Sequence, residues 1–390
     1  MTKKSTAKTF GELIKNEAAK NPNFYLFSPD ETTSNKLDAI YDVTSRAWSS
    51  LPKKSWDMKE SDGGQIVELL SENVLFAVML GHILANEPAM MTSYESFFSI
   101  ITSQIIQHLK FLSQSESVSW REKYPAVNLL STSTCWRQDH NGFSHQSPAL
   151  ISTLLNYPGN KVNCFFPVDS ESALVVYKYM MESRNVVNLT TFNKTEEPQY
   201  LDTSHAEYQL ENGASIFGFA SDGDTFYLES ESNKFDIIFT AAGDISTRES
   251  LAAIELLRED LPELKFRFIN ILSLTHEKIG TTDRQLSQEM FDKMFTKNTP
   301  IISNFHGYKD TLKNILRNYT NAEIFAHGFE EQGATTTPLE MLTMNHASRF
   351  DLAIDVAKRI NRTDLVEKYE KIISENHAHA TQFGVDSFEL

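Results

Sequence analysis

Phe235-Asp236-Ile237-Ile238-Phe239-Thr240-Ala241-Ala242-Gly243-Asp244 is a β-branched and aromatic run that ends in a glycine turn, and residues 250–258 behind it read as a helix. A strand feeding a helix through a tight turn is the building unit of sheets covered by helices, so this stretch sets the class as α/β. Outward from it, further strands are expected at 265–271, 300–305 and 322–326 and a helix at 350–360, a five-element layer. The same alternation runs through the first half, with strands expected at 24–27, 126–131, 162–166 and 186–191 and helices at 74–84 and 97–112. A polar stretch from 193 to 224, holding Pro198, Gly213 and Gly223, interrupts the pattern. The expectation is a tail over residues 1–20, then two doubly wound, mostly parallel sheet domains at 21–200 and 201–390.

The length of 390 residues fits two domains. The 52 acidic against 36 basic side chains leave a formal charge of -16, a surface that repels phosphate backbones and anionic lipid, so neither nucleic acid nor a membrane is an expected partner. Apolar residues at 41% can fill real cores, which excludes a disordered or fibrous chain. Two cysteines, Cys135 and Cys164, make no disulfide framework and no paired thiolates for zinc, and point to a reducing, cytoplasmic setting. Lys3, Lys4 and Lys8 precede no apolar core, and the apolar stretch at 74–85 is broken by Gly81 and His82, so neither a signal peptide nor a membrane span is expected. The acids Asp222, Asp224, Glu229 and Glu231 read as a solvated loop.

The phosphate loop G-x-x-x-x-G-K-S/T, the dinucleotide fingerprint G-x-G-x-x-G, the zinc helix H-E-x-x-H and the elbow G-x-S-x-G are all missing. Gly243 reads as a tight turn, with an anion seat at the following helix as the alternative. One segment stands apart: Trp136-Arg137-Gln138-Asp139-His140-Asn141-Gly142-Phe143-Ser144-His145-Gln146. It follows an expected strand, where an open parallel sheet presents its binding edge, and gathers two histidines, an acid, amides and hydroxyls suited to a polyhydroxylated or phosphorylated anion. It lacks the clustered carboxylates or thiolates of a dedicated metal site.

That segment resembles the substrate loop of the thiamine-diphosphate-dependent phosphoketolases, relatives of transketolase. Ser28-Pro29-Asp30-Glu31-Thr32-Thr33-Ser34-Asn35 resembles the family's P-D-E-T-x-S-N, Leu70-Ser71-Glu72-Asn73 its L-S-E-H, and Ser93-Tyr94-Glu95-Ser96-Phe97 its S-Y-E-x-F. Phe305-His306-Gly307-Tyr308 and Gly333-Ala334-Thr335-Thr336-Thr337-Pro338 are similar to its F-H-G-Y and G-x-x-T-T-P stretches. The resemblance runs from about residue 22 to 360. It implies a pyrimidine-binding domain up to about residue 200 and a transketolase-like carboxyl-terminal domain after it. The pyrophosphate-binding domain of the family, with its magnesium motif, has no counterpart in this sequence, so the chain is not expected to hold thiamine diphosphate and magnesium without a partner chain.

Residue by residue, the resemblance makes Glu72 the carboxylate that shares a proton with the aminopyrimidine ring, which lets the ring's amine deprotonate the thiazolium carbon. Ser71 is placed to cap the helix starting there, and Val74, Leu75 and Phe76 to supply an apolar pocket that raises the carboxyl's pKa. On pattern alone Glu72 is an ordinary first-turn glutamate. Tyr94 is implied to pack on the pyrimidine, with a core tyrosine beside Phe97 and Phe98 as the plain alternative. His145 is implied to sit by the reacting ketose and assist proton transfer, and Gln138 and Asn141 to contact the substrate, with His140 behind them. Ser34 and Lys194 are implied to bind the sugar phosphate. The chain departs from the family at Asn73 to Ala77 and at Ala85 to Ala89, where an arginine and a histidine give way to Glu87 and Pro88 and place the cofactor pocket or an intersubunit contact in question.

The resemblance therefore implies one half of a split phosphoketolase. With a chain carrying the pyrophosphate domain, in a homodimer or hetero-oligomer, it would cleave xylulose 5-phosphate or fructose 6-phosphate with inorganic phosphate to acetyl phosphate and an aldose phosphate. A non-catalytic sugar-phosphate-binding or regulatory protein, and a piece of a longer enzyme, are the alternatives.

Overall fold

The structure, a computed structural model, describes residues 2–29, 31–47, 55, 59–223 and 234–388. Asp30 of the first motif, and Asp224, Glu229 and Glu231 of the acidic loop, lie outside the described residues. The chain divides into two compact units, residues 1–133 with 157–207, and residues 134–156 with 208–390. The two-histidine loop thus belongs to the second unit although the strand before it belongs to the first.

The first unit is built on parallel strands β1 (Tyr25–Ser28), β2 (Ile66–Glu68), β3 (Ala89–Tyr94), β4 (Val127–Thr132), β5 (Val162–Phe165) and β6 (Val187–Thr191), in the spatial order β5-β6-β4-β3-β1-β2. Its helices are α1 (Thr6–Lys20), α2 (Glu72–Leu84), α3 (Thr102–Ser115) and, beyond the second unit's α4 (Ala149–Leu155), α5 (Ser170–Glu182). After β1 the chain steps outward to β2 and then returns to β3 on the other side of β1. The carboxyl ends of β1 and β3 therefore flank the point where the winding reverses, the place at which open parallel sheets form a binding crevice. Register on the other side is fixed by a buried amide ladder: Asn163 Nδ2 donates to Asn188 Oδ1 at 2.9 Å and Asn188 Nδ2 to Asn128 Oδ1 at 2.8 Å, across β5, β6 and β4.

Of the tail expected over residues 1–20, residues 3–20 fold instead as a short strand, Lys3–Ser5, and α1. Ser5 caps the helix by accepting from Lys8 N at 3.3 Å, and its apolar face, Phe10 and Ile14, is fully buried, with Phe10 stacked 4.5 Å from Phe192. Polar spacing hid this face. The expected polar interruption at 193–224 is likewise a strand, Glu196–Pro198, a helix, Thr203–Asn212, and β7 (Ala214–Ile216). The strand β3 escaped notice because Ala89-Met90-Met91-Thr92-Ser93-Tyr94 offers few β-branched residues, although its first five are buried.

In the second unit, β8 (Ile237–Ala242), β9 (Phe266–Ile271), β10 (Ile301–Tyr308) and β11 (Ile324–Phe329) are parallel, in the order β7-β9-β8-β10-β11 with β7 antiparallel at the edge. The helices that matter below are α6 (Asp244–Asp260), α7 (Pro338–Met344), α8 (Arg349–Arg359) and α9 (Thr363–Phe383). Gly243, at φ 117°, makes the turn from β8 into α6, and a Cβ there would come 2.7 Å from His306 Cβ. The anion-seat alternative finds its place taken: the carboxylate of Asp244 itself accepts the Ile245 N–H at 2.7 Å. Glu249 on α6 is fully buried and paired with Arg349 at the start of α8. Among the described residues no helix is long and apolar enough to cross a membrane.

Candidate functional site

Every element of the first unit that touches its reversal point contributes a polar side chain from its carboxyl end. The turn after β1 carries Glu31, Ser34 and Asn35. The segment after β2 leads into Glu72 at the first position of α2, and β3 ends in Ser93 and Tyr94. Lys194 follows β6. Three buried side chains tie these turns together: Asn35 Nδ2 donates to Thr92 Oγ1 at 3.3 Å, and Ser133 Oγ donates to Asn35 Oδ1 at 3.3 Å.

Of the expected residues, Ser34, Tyr94 and Lys194 form one group. The hydroxyl of Tyr94 donates to Ser34 Oγ at 3.3 Å, and Lys194 Nζ lies 5.0 Å from the Tyr94 ring centroid. Phe97 stacks on the same ring, with 5.9 Å between centroids. A hydroxyl pair beside an ammonium is a set of donors matched to an anion. Glu72 is half-buried and accepts a hydrogen bond from Ser93 Oγ at 3.5 Å, a long contact that leaves its lone pairs largely open. Ser71 does sit at the amino cap of α2, but its hydroxyl donates to Asn73 Oδ1 at 2.6 Å instead of capping the helix. Of the apolar pocket expected around Glu72, Leu75 and Phe76 are buried and Val74 is 44% exposed.

Glu31 is the acid the sequence reading passed over. It accepts the Tyr94 N–H at 3.1 Å and the Asn35 side-chain amide at 3.5 Å. Burial lifts its pKa to about 7; the bonds from Tyr94 and Asn35 pull it down, the charge of Glu72 adds to the rise and Lys194 opposes it. The motif containing Glu31 was visible, but burial of one carboxyl among several is a tertiary property.

Gln138, Asn141 and His145 stand in the second unit. Trp136 roots their loop: it is buried, donates from Nε1 to the His306 carbonyl at 2.9 Å and meets Phe329 edge-on at 5.4 Å. Its core neighbours include Cys135, Ile245, Met341 and Leu342. Gln138 is buried, its Oε1 accepts Asn141 Nδ2 at 2.6 Å, and its Nε2 has no hydrogen-bond partner among the described residues. An unmatched buried donor of this kind is costly unless a ligand meets it. Gln146 braces the loop, donating from Nε2 to the carbonyls of Gln138 at 2.7 Å and Ala334 at 3.0 Å, while the Thr336 N–H donates to the Asp139 carbonyl at 3.1 Å. Asn141 and His140 are exposed; His145 is half-buried with Nδ1 2.9 Å from Ser144 Oγ. The departures from the family at Asn86 to Ala89 occupy the turn between α2 and β3, where Asn86 has φ 67°. That turn is at the amino end of β3, opposite Tyr94.

Residues 5–183 match the family described as D-xylulose 5-phosphate/D-fructose 6-phosphate phosphoketolase, and residues 194–390 match the carboxyl-terminal domain of that family. A probable phosphoketolase of Pediococcus pentosaceus is 36% identical over 354 residues, covering 90% of this chain and 44% of its own length. The chain thus spans less than half the length of such relatives. Among solved structures, a transketolase of Pichia stipitis covers 92% of this chain with a TM-score of 0.70 at 17% identity, over 46% of its own length. A split-gene transketolase, described as an inactive β4 tetramer, covers 91% of this chain and 97% of its own length with a TM-score of 0.60 at 14% identity. These likenesses show a transketolase-like α/β fold, and the sequence matches, extending over nearly the whole chain, show that it belongs to the phosphoketolase family.

Proposed function

We propose that this chain supplies the pyrimidine-binding and carboxyl-terminal parts of a phosphoketolase, which cleaves xylulose 5-phosphate or fructose 6-phosphate with inorganic phosphate to acetyl phosphate and an aldose phosphate. The observation that carries this reading is the convergence of Glu72, Ser34, Tyr94 and Lys194 on the reversal point of one parallel sheet. The remaining part, with the grip on the diphosphate and magnesium, comes from a partner chain or from a further segment of the same polypeptide. The spans of the relatives are consistent with either source.

Glu72 suits the aminopyrimidine end of thiamine diphosphate, because it is an incompletely shielded carboxylate whose one hydrogen bond is long. Bound there, the coenzyme would supply the acidic thiazolium carbon that attacks the ketose carbonyl. Glu72 would hold or release the proton at its own carboxylate oxygen. Ser34, the Tyr94 hydroxyl and Lys194 would bind the sugar phosphate; this assigns Tyr94 to the anion as well as to the ring-packing role implied by the resemblance. Gln138, with its open Nε2, and Asn141 would bind substrate hydroxyls, and His145 would assist proton transfer. The expected setting is cytoplasmic, in a homodimer or hetero-oligomer.

The test is acetyl phosphate formation from either ketose phosphate with thiamine diphosphate and magnesium, by the chain alone and together with the missing part. Turnover in the mixture that is lost in Glu72→Ala supports the reading. Sugar-phosphate binding without turnover in every mixture supports the second reading, a non-catalytic binding protein, which the inactive β4 assembly of the split-gene transketolase makes worth separating.

A further inference from the structure

Two carboxylates hang from consecutive residues at the end of β3. Ser93 donates its hydroxyl to Glu72, and Tyr94 donates its backbone N–H to Glu31. Glu31 is half-buried, and its partner Asn35 is fully buried and held in turn by Thr92 and Ser133. Among the described residues, Glu72 and Lys194 are the charged groups whose fields act on Glu31. The neighbouring Arg46–Glu68 pair is satisfied separately and meets this turn through Thr32, whose hydroxyl donates to Glu68 Oε1 at 2.7 Å. Burial and the like charge of Glu72 both oppose ionisation of Glu31, while Lys194 favours it, so the charge of Glu31 is coupled to these two neighbours.

We propose that Glu31 is a positioning residue that sets the charge of this corner: while neutral it leaves Lys194 open to an anionic ligand, and once ionised it repels both Glu72 and that ligand. The role of the corner in catalysis rests on the functional reading above; the coupling itself does not.

The experiment is a carboxyl-carbon NMR titration of the whole chain labelled at glutamate, with Glu31→Gln identifying the resonance. The Glu31 midpoint is expected near neutral pH, to move down in Glu72→Gln and up in Lys194→Met. A midpoint in the ordinary carboxylate range, or one unmoved by both variants, overturns the proposal. Sulfate, whose charge is constant over this range, is the ligand probe. Its affinity is expected to fall as pH rises through the Glu31 midpoint and to lose that step in Glu31→Gln, and a pH-independent affinity in the parent chain counts against the proposal. Midpoints that move as stated in a chain never brought to turnover would sink the phosphoketolase reading and leave the coupling standing.

Discussion

The phenol of Tyr94 donates its hydrogen bond to Ser34 Oγ while Lys194 lies against its ring, so one aromatic side chain joins the end of β3 to the turn after β1 and to the segment after β6. Tyr94→Phe removes the bond and keeps the ring. Its expected effect is a loss of about 0.5–1.5 kcal/mol in sugar-phosphate binding, read as a raised KM with kcat little changed. Lys194→Met should cost more, since it removes the charge.

Stability should fall as Glu31 ionises. Its folded pKa, about 7, lies above that of an unfolded glutamate, so the folded state binds the extra proton between the two values. Stabilisation is therefore present below about pH 4.5 and is lost as pH rises toward 7, by at most about 3 kcal/mol. Urea denaturation across that window should show the slope in the parent chain and a smaller one in Glu31→Gln.

The buried pair in the second unit behaves in the opposite sense. Arg349 donates from Nε and Nη2 to Glu249 at 2.9 and 2.7 Å, and its backbone N–H adds a third bond at 3.0 Å. Burial alone would raise the Glu249 pKa, but the guanidinium outweighs it and holds the carboxyl below its usual range. This contribution is full above the unfolded glutamate pKa and is lost as pH falls through the folded one. Arg349→Met, which leaves the buried carboxylate to the longer Arg248 Nη2 contact at 3.4 Å, is expected to destabilise by about 3 kcal/mol at neutral pH, with the deficit shrinking in acid. Thermal melts at neutral and acidic pH measure it.

Gln146 should control the order of the loop that carries Gln138 and Asn141. In Gln146→Leu the carbonyls of Gln138 and Ala334 lose their shared side-chain donor, although the Gln138 carbonyl keeps the Asn141 N–H at 3.1 Å, so the expected cost is about 0.5–1.5 kcal/mol for each bond lost. Hydrogen exchange at residues 138–146 should quicken more than exchange in the sheet strands. Gly333→Ala is a second route to the same end, because a Cβ there would come 2.3 Å from Gln146 Oε1.

Much of the architecture was legible because its strands are short runs rich in apolar, β-branched or aromatic residues, as in β8, which ends in the glycine turn at Gly243. The strand β3 and the helix α1 were not, since methionines and serines carry weak strand signals and a polar amino terminus conceals a two-residue apolar seam at Phe10 and Ile14. The candidate site residues stood out in the sequence as ordered motifs on separate loops.

The sequence by itself determined the class and the family, because each of these depends on local runs and short motifs. Only the tertiary structure decided that Tyr94 joins Ser34 and Lys194, that Gln138 keeps a buried unmet donor, and that Glu31 holds the raised pKa. Those properties arise where residues far apart in the chain share one enclosed volume, and desolvation and charge coupling depend on that volume.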